Sequence, residues 1–237
     1  MSTTARLAVG RAAAALVRPG MVVGLGTGDT AACFIRALAD RAKAEPALQT
    51  LRCVATSIRS AQLGADLGLS VVEVDALDSQ QPTPVDLTVD GADEIDPQLQ
   101  LIKGAGGALL FEKLVARLSR ELVIVGDRGK QVAELGEKRL LPIEIVRFAA
   151  RHTLARIARL ADVRQATLRL AANGSPYVTD GGNLIVDAAI RPTSAGAAAL
   201  HAQLKALPGV VETGFFLSEA TRVLVADESG EVQSLGR

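Results

Sequence analysis

The segment LIKGAGGALLFEK contains a lysine, Lys103, and a glutamate, Glu112, on either side of a glycine run. A positioned carboxylate can take a proton from carbon, and a nearby cation can stabilise the oxyanion that then develops. The glycine run between them lets the backbone approach a ligand closely, and Glu112 is predicted in the first turns of the following helix. These residue types suit proton transfer next to a carbonyl group. An arbitrary helical glutamate more often forms an exposed ion pair, so the wider context must decide.

A cluster of acids ends an apolar predicted strand in DLTVDGADEID, and its candidate functional residues are Asp90 and Asp93. Ligands of open parallel sheets bind beyond the carboxyl ends of the strands, so we expect both carboxylates to face a ligand crevice. The spacing does not match the calcium-binding loop of an EF-hand. The alternative is a solvated turn, which is less consistent with Asp90 directly adjoining a buried strand.

The turn GLGTGDT places glycines and hydroxyls between a predicted strand and a predicted helix, at Thr27, Gly28, Asp29 and Thr30. The first free amides of a helix bind anions, so this loop could hold a phosphate. The third glycine of a dinucleotide-binding motif would fall at Asp29, and no Gly-Lys-Ser/Thr follows, which excludes two common nucleotide loops. A plain turn with Asp29 or Thr30 capping the helix explains the loop about equally well.

The elements that must position these residues alternate between short apolar strands and amphipathic helices. Such apolar strands are typical of a parallel sheet that is covered on both faces. We therefore predict an α/β fold with an open, mostly parallel, Rossmann-like sheet flanked by helices. The predicted strands are Met21–Leu25, Leu51–Ala55, Ser70–Val74, Val85–Val89, Glu121–Val125 and Arg222–Ala226, and the predicted helices between them are Thr30–Ala42, Ile58–Leu67 and Ala108–Leu118.

The pattern changes after Lys130, where a strand-like LLPIEIVRFA precedes a helical stretch and a predicted strand–turn–strand in ATLRLAANGSPYVTDGGNLIVDAAI. This order predicts a smaller inserted α+β domain over residues 134–207. The α/β catalytic domain is then formed by residues 1–133 and 208–237. We expect a helix around Gly196–Leu207 and strands again in GVVETGFF and TRVLVAD.

Composition narrows the range of partners. The 237 residues contain 26 basic and 26 acidic side chains, so no overall field favours nucleic acid or a membrane surface. Two cysteines, Cys33 and Cys53, lie in apolar runs and are predicted to be reduced core residues. No apolar run is long enough to cross a bilayer, and we expect a cytoplasmic protein. The two histidines, His152 and His201, are far apart in sequence, and no metal site is predicted.

Seven segments, taken in chain order, closely resemble ribose-5-phosphate isomerase of the A type: GLGTGDTA, TSIRSAQLGADLGL, DGADEID, LIKGAGGALLFEKLVA, GDRGKQVAELG, LPIEIVRFA and TDGGNLIVD. The resemblance extends from about Arg6 to about Phe216. DGADE followed by the lysine, glycine run and Glu-Lys is highly specific to that family, whereas the glycine loop alone is not.

The resemblance implies interconversion of ribose 5-phosphate and ribulose 5-phosphate through an enediolate, a reaction of the pentose phosphate pathway. It further implies a homodimer that needs neither metal nor cofactor and binds a small sugar phosphate. The implied base is Glu112, with Asp90 and Asp93 handling hydroxyl protons and Lys103 stabilising the oxyanion. The implied substrate-binding residues are Thr27, Gly28, Asp29, Thr30, Gly104, Ala105, Gly106, Lys130 and Arg6.

Three positions depart from the family pattern. Asp29 replaces a serine in the loop expected to face an anionic substrate, Ala105 replaces a glycine, and Gly181 replaces an asparagine. Two other functions remain open from the residues. One is a different enzyme on a related scaffold, such as a sugar-phosphate deaminase or a CoA transferase, whose motifs are not matched. The other is a non-catalytic sugar-phosphate sensor, which we would expect to lack the glutamate or the lysine.

Overall fold

The computed structural model describes residues 2–191 and 196–236. Helices and strands within these residues are named here in chain order. The α-helices are α1 (Thr3–Ala14), α2 (Asp29–Ala44), α3 (Ile58–Asp66), α4 (Leu109–Arg117), α5 (Ala150–Ile157) and α6 (Gly196–Lys205). The strands are β1 (Val22–Leu25), β2 (Arg52–Ala55), β3 (Val85–Gly91), β4 (Glu94–Ile95), β5 (Leu101–Ile102), β6 (Ser119–Asp127), β7 (Leu141–Ile145), β8 (Val163–Leu168), β9 (Leu184–Ile190), β10 (Val210–Thr213), β11 (Phe215–Phe216), β12 (Arg222–Ala226) and β13 (Val232–Gly236).

The chain forms two compact units. Unit 1 comprises Met1–Ala92, Phe111–Lys130 and Ser218–Arg237, and unit 2 comprises Asp93–Leu110 and Gln131–Leu217. Residues 93–110, 131–133 and 208–217 thus belong to unit 2, whereas the sequence-based division placed them in the α/β domain. The reason is that β4, β5 and β11 pair with one another in a separate small sheet.

Unit 1 is built on a six-stranded sheet in the order β13-β12-β6-β3-β1-β2. All neighbouring pairs are parallel except β12 with β13, which confirms the predicted open, mostly parallel α/β sheet. Side chains of β1, β3 and β6, including Val23, Val89 and Val123, form one core with α1 and α2. The helices α1 and α2 approach so closely that a side chain at Gly10 would overlap the backbone of Cys33.

The predicted strand at Ser70–Val74 is wrong. Only an isolated bridge joins Val71 to Cys53, and a short 3-10 helix then runs over Val74–Ala76. The segment lies beyond β2, at the end of the sheet. Because the 3-10 helix begins at Val74, the chain leaves the edge of β2 after a single bridge and the ladder does not extend.

Unit 2 contains an antiparallel four-stranded sheet in the order β10-β7-β9-β8 and the three-stranded sheet β11-β5-β4. The predicted strand–turn–strand corresponds to β8 and β9, which pair antiparallel. Leu200 and Leu204 of α6 and Ile157 of α5 pack in one core with Ile143 and Val186 of the larger sheet. The elements agree with a small α+β body. No helix among residues 2–191 and 196–236 is long and apolar enough to cross a membrane.

Candidate active site

In unit 1, the loop after β1 lies against the carboxyl end of β3. The amide of Thr27 donates to Asp90 Oδ1 at 2.9 Å, and the amide of Gly26 donates to Val89 O at 2.9 Å. A side chain at Gly26 would overlap the Asp90 carboxylate, and one at Gly24 would overlap Thr88. Both glycines are therefore required by close approach. The parallel pairing of β1 and β3 brings Asp90, which is buried, to the glycine loop as expected.

Hydroxyl groups hold the same loop from its other side. Thr27 Oγ1 lies 2.7 Å from Thr56 Oγ1 and 2.8 Å from Ser57 Oγ, and Ser60 Oγ donates to Gly26 O at 2.7 Å. These hydroxyls follow β2, the neighbour of β1 in the sheet. The side chain of Thr27 thus orders the loop. The segment TSIRS signals this role, because three hydroxyl residues follow a buried strand and open a helix.

The start of α2 explains the loop's third glycine. Gly28 is the N-cap and has φ 108°, a left-handed conformation that disfavours any side chain. Its position rules out the alternative in which Asp29 or Thr30 caps the helix. Asp29 is instead the first helical residue, where the helix dipole favours a negative charge.

The Asp29 carboxylate lies between two guanidinium groups of unit 1. Its oxygens are 3.9 Å from Arg6 Nη1 of α1 and 3.5 Å from Arg59 Nη2 of α3. All three side chains line a cavity of about 520 Å³ together with residues of α1, α2 and α3. Arg6 is among the predicted substrate-binding residues and Arg59 is not. The position of Arg59 within the hydroxyl-rich segment TSIRS was the one sequence feature that could have indicated a role in this site.

Two further predicted residues lie in unit 1. Lys130 ends a short 3-10 helix, Arg128–Lys130, that follows β6. Because β6 pairs in parallel with β3, Lys130 and Asp90 both lie toward the carboxyl ends of the strands. Glu112 lies in the first turn of α4 and is 5% exposed. Its burial excludes the interpretation as an exposed surface residue.

Unit 2 contains the other predicted catalytic residues, Asp93 and Lys103. The Lys103 side chain is 2% exposed, and its Nζ lies 5.4 Å from the centre of the Phe216 ring. The Lys103 amide donates to Gly214 O at 2.9 Å, which joins the lysine to the segment before β11. Asp93 Oδ2 accepts a hydrogen bond from the amide of Ala105 at 2.9 Å.

The glycine run after Lys103 has two left-handed residues, Gly104 with φ 104° and Gly107 with φ 87°. Ala105 is not among the residues with positive φ, so it occupies an ordinary conformation as expected for the replaced glycine. Two side chains that sequence reasoning missed surround this run. Arg169 donates to the carbonyl oxygens of Gly104 and Ala105, and Tyr177 donates to that of Gly106. Both residues are far from the glycine run in sequence, so no local pattern predicted these contacts.

A buried carboxylate of the LPIEIVRFA segment, Glu144, lies elsewhere in unit 2. Its Oε1 accepts from Thr179 Oγ1 at 2.9 Å and from Asn183 Nδ2 at 3.0 Å, and the carboxylate also accepts from the amide of Leu110. Burial raises the pKa of Glu144 above its ordinary value, although these hydrogen bonds oppose part of the effect.

The structure therefore joins the predicted residues in three local groups. Asp90 contacts the glycine loop, Arg6 contacts Asp29, and Asp93 contacts Ala105. Asp90 and Glu112 belong to unit 1, whereas Asp93 and Lys103 belong to unit 2. Within the described part of the chain, no group of three or more histidine, cysteine, aspartate or glutamate side chains is arranged to hold a metal ion.

Comparison with known proteins agrees with the motifs. The profile of the family ribose 5-phosphate isomerase A (phosphoriboisomerase A) matches residues 52–230. Ribose-5-phosphate isomerase A of Chloroflexus aurantiacus is 46% identical over 232 residues, which cover 97% of this chain and 92% of that protein.

Solved structures give the same result. Ribose 5-phosphate isomerase A of Methanocaldococcus jannaschii superposes with a TM-score of 0.88 and 36% identity, covering 98% of both chains. A D-ribose-5-phosphate isomerase in complex with phospho-erythronic acid superposes with a TM-score of 0.90 and 32% identity, covering 98% of this chain and 97% of that one. This chain belongs to the ribose 5-phosphate isomerase A family, as its motifs predict.

Proposed function

We propose that this chain interconverts D-ribose 5-phosphate and D-ribulose 5-phosphate by moving a proton between C2 and C1 of the open-chain sugar. The observation that carries the proposal is the match to the isomerase family across residues 52–230, which include the DGADE and lysine–glycine–glutamate segments. A sensor that had lost catalysis would be expected to lack Glu112 or Lys103, and both are present.

In the proposed mechanism, Glu112 removes the proton from one carbon and returns it to the other. Burial of this side chain in the first turn of α4 supports the role, because a base shielded from water can act on a weakly acidic C–H group. As a carboxylate, Glu112 can accept the proton from carbon. Asp90 and Asp93 handle the hydroxyl protons and help to open the sugar ring.

Negative charge develops on the sugar oxygen as the enediolate forms. We assign its stabilisation to the Lys103 ammonium and to backbone amides of residues 104–106. Groups that act on charge present only in the transition state lower the activation barrier without tightening substrate binding. Lys103 is buried, so its charge acts in a medium less polar than water and is correspondingly more effective.

The phosphate group is assigned to unit 1. Gly28 and Thr30 provide the start of α2, where free amides favour an anion, and Lys130 and Arg6 provide positive charge. The phosphorylated acid bound to the related isomerase supports a phosphorylated ligand. The Asp29 carboxylate weakens this site because it shares Arg6 with the incoming phosphate. We also propose that the enzyme is a homodimer, for which the family resemblance is the support. The composition of the sequence supports a location in the cytoplasm.

The decisive experiment measures ribulose 5-phosphate formation from ribose 5-phosphate by the wild-type chain and by Glu112→Gln, each with and without EDTA. We expect chelator-resistant turnover in the wild type and a loss of roughly 100- to 10,000-fold in kcat for the variant. Glu121→Gln, at an exposed glutamate of β6, is the matched control and should keep full activity.

Absence of turnover in folded wild-type protein would contradict the proposal. Binding of ribose 5-phosphate without turnover, measured by calorimetry, would then favour the sensor. Full activity of Glu112→Gln would instead leave the reaction in place and contradict the assignment of the base.

A further inference from the structure

Arg169 connects a half-buried ion pair to the glycine run of unit 2. Its Nε and Nη2 donate to the two carboxylate oxygens of Asp187, at 2.8 and 2.5 Å. Its remaining nitrogen, Nη1, donates to Gly104 O at 3.1 Å and to Ala105 O at 2.9 Å. The Arg169 side chain is 16% exposed. One guanidinium group is thus fixed by a carboxylate on one edge and holds two successive peptide carbonyls on another.

Holding a carbonyl also fixes the direction of an amide. In a trans peptide the C=O and the following N–H point in opposite directions. Arg169 binds Gly104 O, and the N–H of the same peptide, on Ala105, accordingly points the other way and donates to Asp93 Oδ2 at 2.9 Å. By the same geometry, binding of Ala105 O directs the N–H of Gly106 away from Arg169.

The next peptide is held as well. Tyr177 Oη donates to Gly106 O at 3.3 Å, and the Arg169 guanidinium carbon lies 5.9 Å from the centre of the Tyr177 ring. A side chain at Gly107 would overlap the Tyr177 ring, so glycine is required there. The Gly107 amide closes the turn by donating to Gly104 O at 2.9 Å. Arg169 and Tyr177 together therefore bind the carbonyl oxygens of three consecutive residues, Gly104, Ala105 and Gly106.

We infer that Arg169, itself held by Asp187, is a positioning residue that orients the Gly106 amide toward the developing oxyanion of the substrate. The inference rests on the proposed isomerase function and extends it to a residue outside the recognised motifs. Ala105 and Gly106 are exposed. Their carbonyl oxygens are bound by Arg169 and Tyr177. The opposite side of the turn therefore presents the Gly106 amide as a hydrogen-bond donor.

Arginine is needed for this arrangement. Its planar fork offers five donors in fixed directions, which here serve two carboxylate oxygens and two carbonyls. A lysine offers a single ammonium group and cannot serve both edges. Arg169→Lys should therefore keep the positive charge beside Asp187 but release the orientation of the peptides.

The test compares kcat and KM for ribose 5-phosphate in the wild type, Arg169→Lys and Arg169→Ala. Arg164 provides the matched control, because it also binds a backbone carbonyl in this sheet, that of Ile190, without touching the glycine run. We expect kcat to fall roughly 10- to 100-fold in both Arg169 variants, somewhat less than the loss of a complete oxyanion donor, with KM changed less than threefold. Arg164→Ala should keep the wild-type kcat.

Chemical rescue separates positioning from a general structural role. Guanidinium ion at millimolar, non-denaturing concentration should restore part of the kcat of Arg169→Ala and leave Arg164→Ala unchanged. If Arg169→Ala does not fold, Asp187→Asn, which removes the charge that holds the guanidinium, should show the same selective loss of kcat. A kcat within twofold of wild type in the folded Arg169 variants, or a rise in KM alone, would overturn the inference. An inactive wild type would instead overturn the proposed function.

Discussion

Glu144 accepts a hydrogen bond from the amide of Leu110, two residues before Glu112 in α4. The interaction satisfies one of the free amides at the start of that helix with a carboxylate, which the helix dipole favours. Burial opposes the charge and raises the pKa of Glu144 above its ordinary value near 4.5. A single carboxyl thus links the LPIEI strand β7 to the beginning of the helix that carries the proposed base.

This raised pKa predicts a pH-dependent term in stability. The folded protein binds the Glu144 proton more tightly than the unfolded chain does, so the stabilising contribution is complete below about pH 4.5 and declines as the pH rises toward the folded pKa. The slope reaches at most about 1.4 kcal/mol per pH unit. Glu144→Gln should remove it.

The measurement is urea denaturation of the wild type and Glu144→Gln from pH 4 to pH 8. Every other carboxyl titrates in both proteins, so the difference in unfolding free energy isolates Glu144. We expect that difference to shift in favour of the variant as the pH rises. A difference that stays constant over this range would contradict the raised pKa.

Removing the charge of Asp29 should tighten substrate binding. Asp29 is 65% exposed and its carboxylate lies near Arg6 and Arg59, so neutralising it leaves both cations to the phosphate. For Asp29→Asn and Asp29→Ser we expect KM for ribose 5-phosphate to fall about threefold, the size typical of exposed charge pairs, with kcat unchanged. The effect should shrink at high salt.

Asp66→Asn is the control for this prediction. Asp66 lines the same cavity but accepts its hydrogen bond from Gln62. An unchanged or higher KM in both Asp29 variants would show that this carboxylate does not compete with the substrate.

Removing the charge of Lys103 should lower turnover more than binding. In Lys103→Met the apolar stem is retained while the ammonium over the Phe216 ring is lost. We expect kcat to fall roughly 100- to 1,000-fold and KM to change less than fivefold. Steady-state kinetics at saturating substrate separate the two, and Lys138→Met serves as control. A loss confined to KM would assign Lys103 to ground-state binding instead.

Glu94 should contribute strongly to the stability of unit 2. The buried carboxylate accepts hydrogen bonds from the amides of Gly136, Lys138 and Arg139 at 2.5 to 2.6 Å. Hydrogen bonds to a charged group are worth about 1.5–3 kcal/mol, and Glu94→Ala leaves three donors without their acceptor. We expect chemical denaturation to show that the free energy of unfolding of the variant is lower by about 3 kcal/mol. A loss below 1 kcal/mol would mean that water replaces the carboxylate readily.

The parallel strands and the family of this protein could be predicted from the sequence alone. The parallel strands β1, β2, β3, β6 and β12 were predicted because short apolar runs between amphipathic helices have few other ways to be buried. The family followed from residue types at short spacing, as in DGADE and in the segment from Lys103 to Glu112, where local order carries the chemistry.

Tertiary structure decided the contacts between distant segments. The Asp29 carboxylate pairs with Arg59 across two helices, and Arg169 reaches Gly104 from 65 residues away. The apolar run at Ser70–Val74 forms no strand, because the chain turns into a 3-10 helix at Val74 after one bridge to Cys53. A local pattern specifies which side chains are available. Packing alone determines which donor meets which acceptor, since that depends on the three-dimensional path of the whole chain.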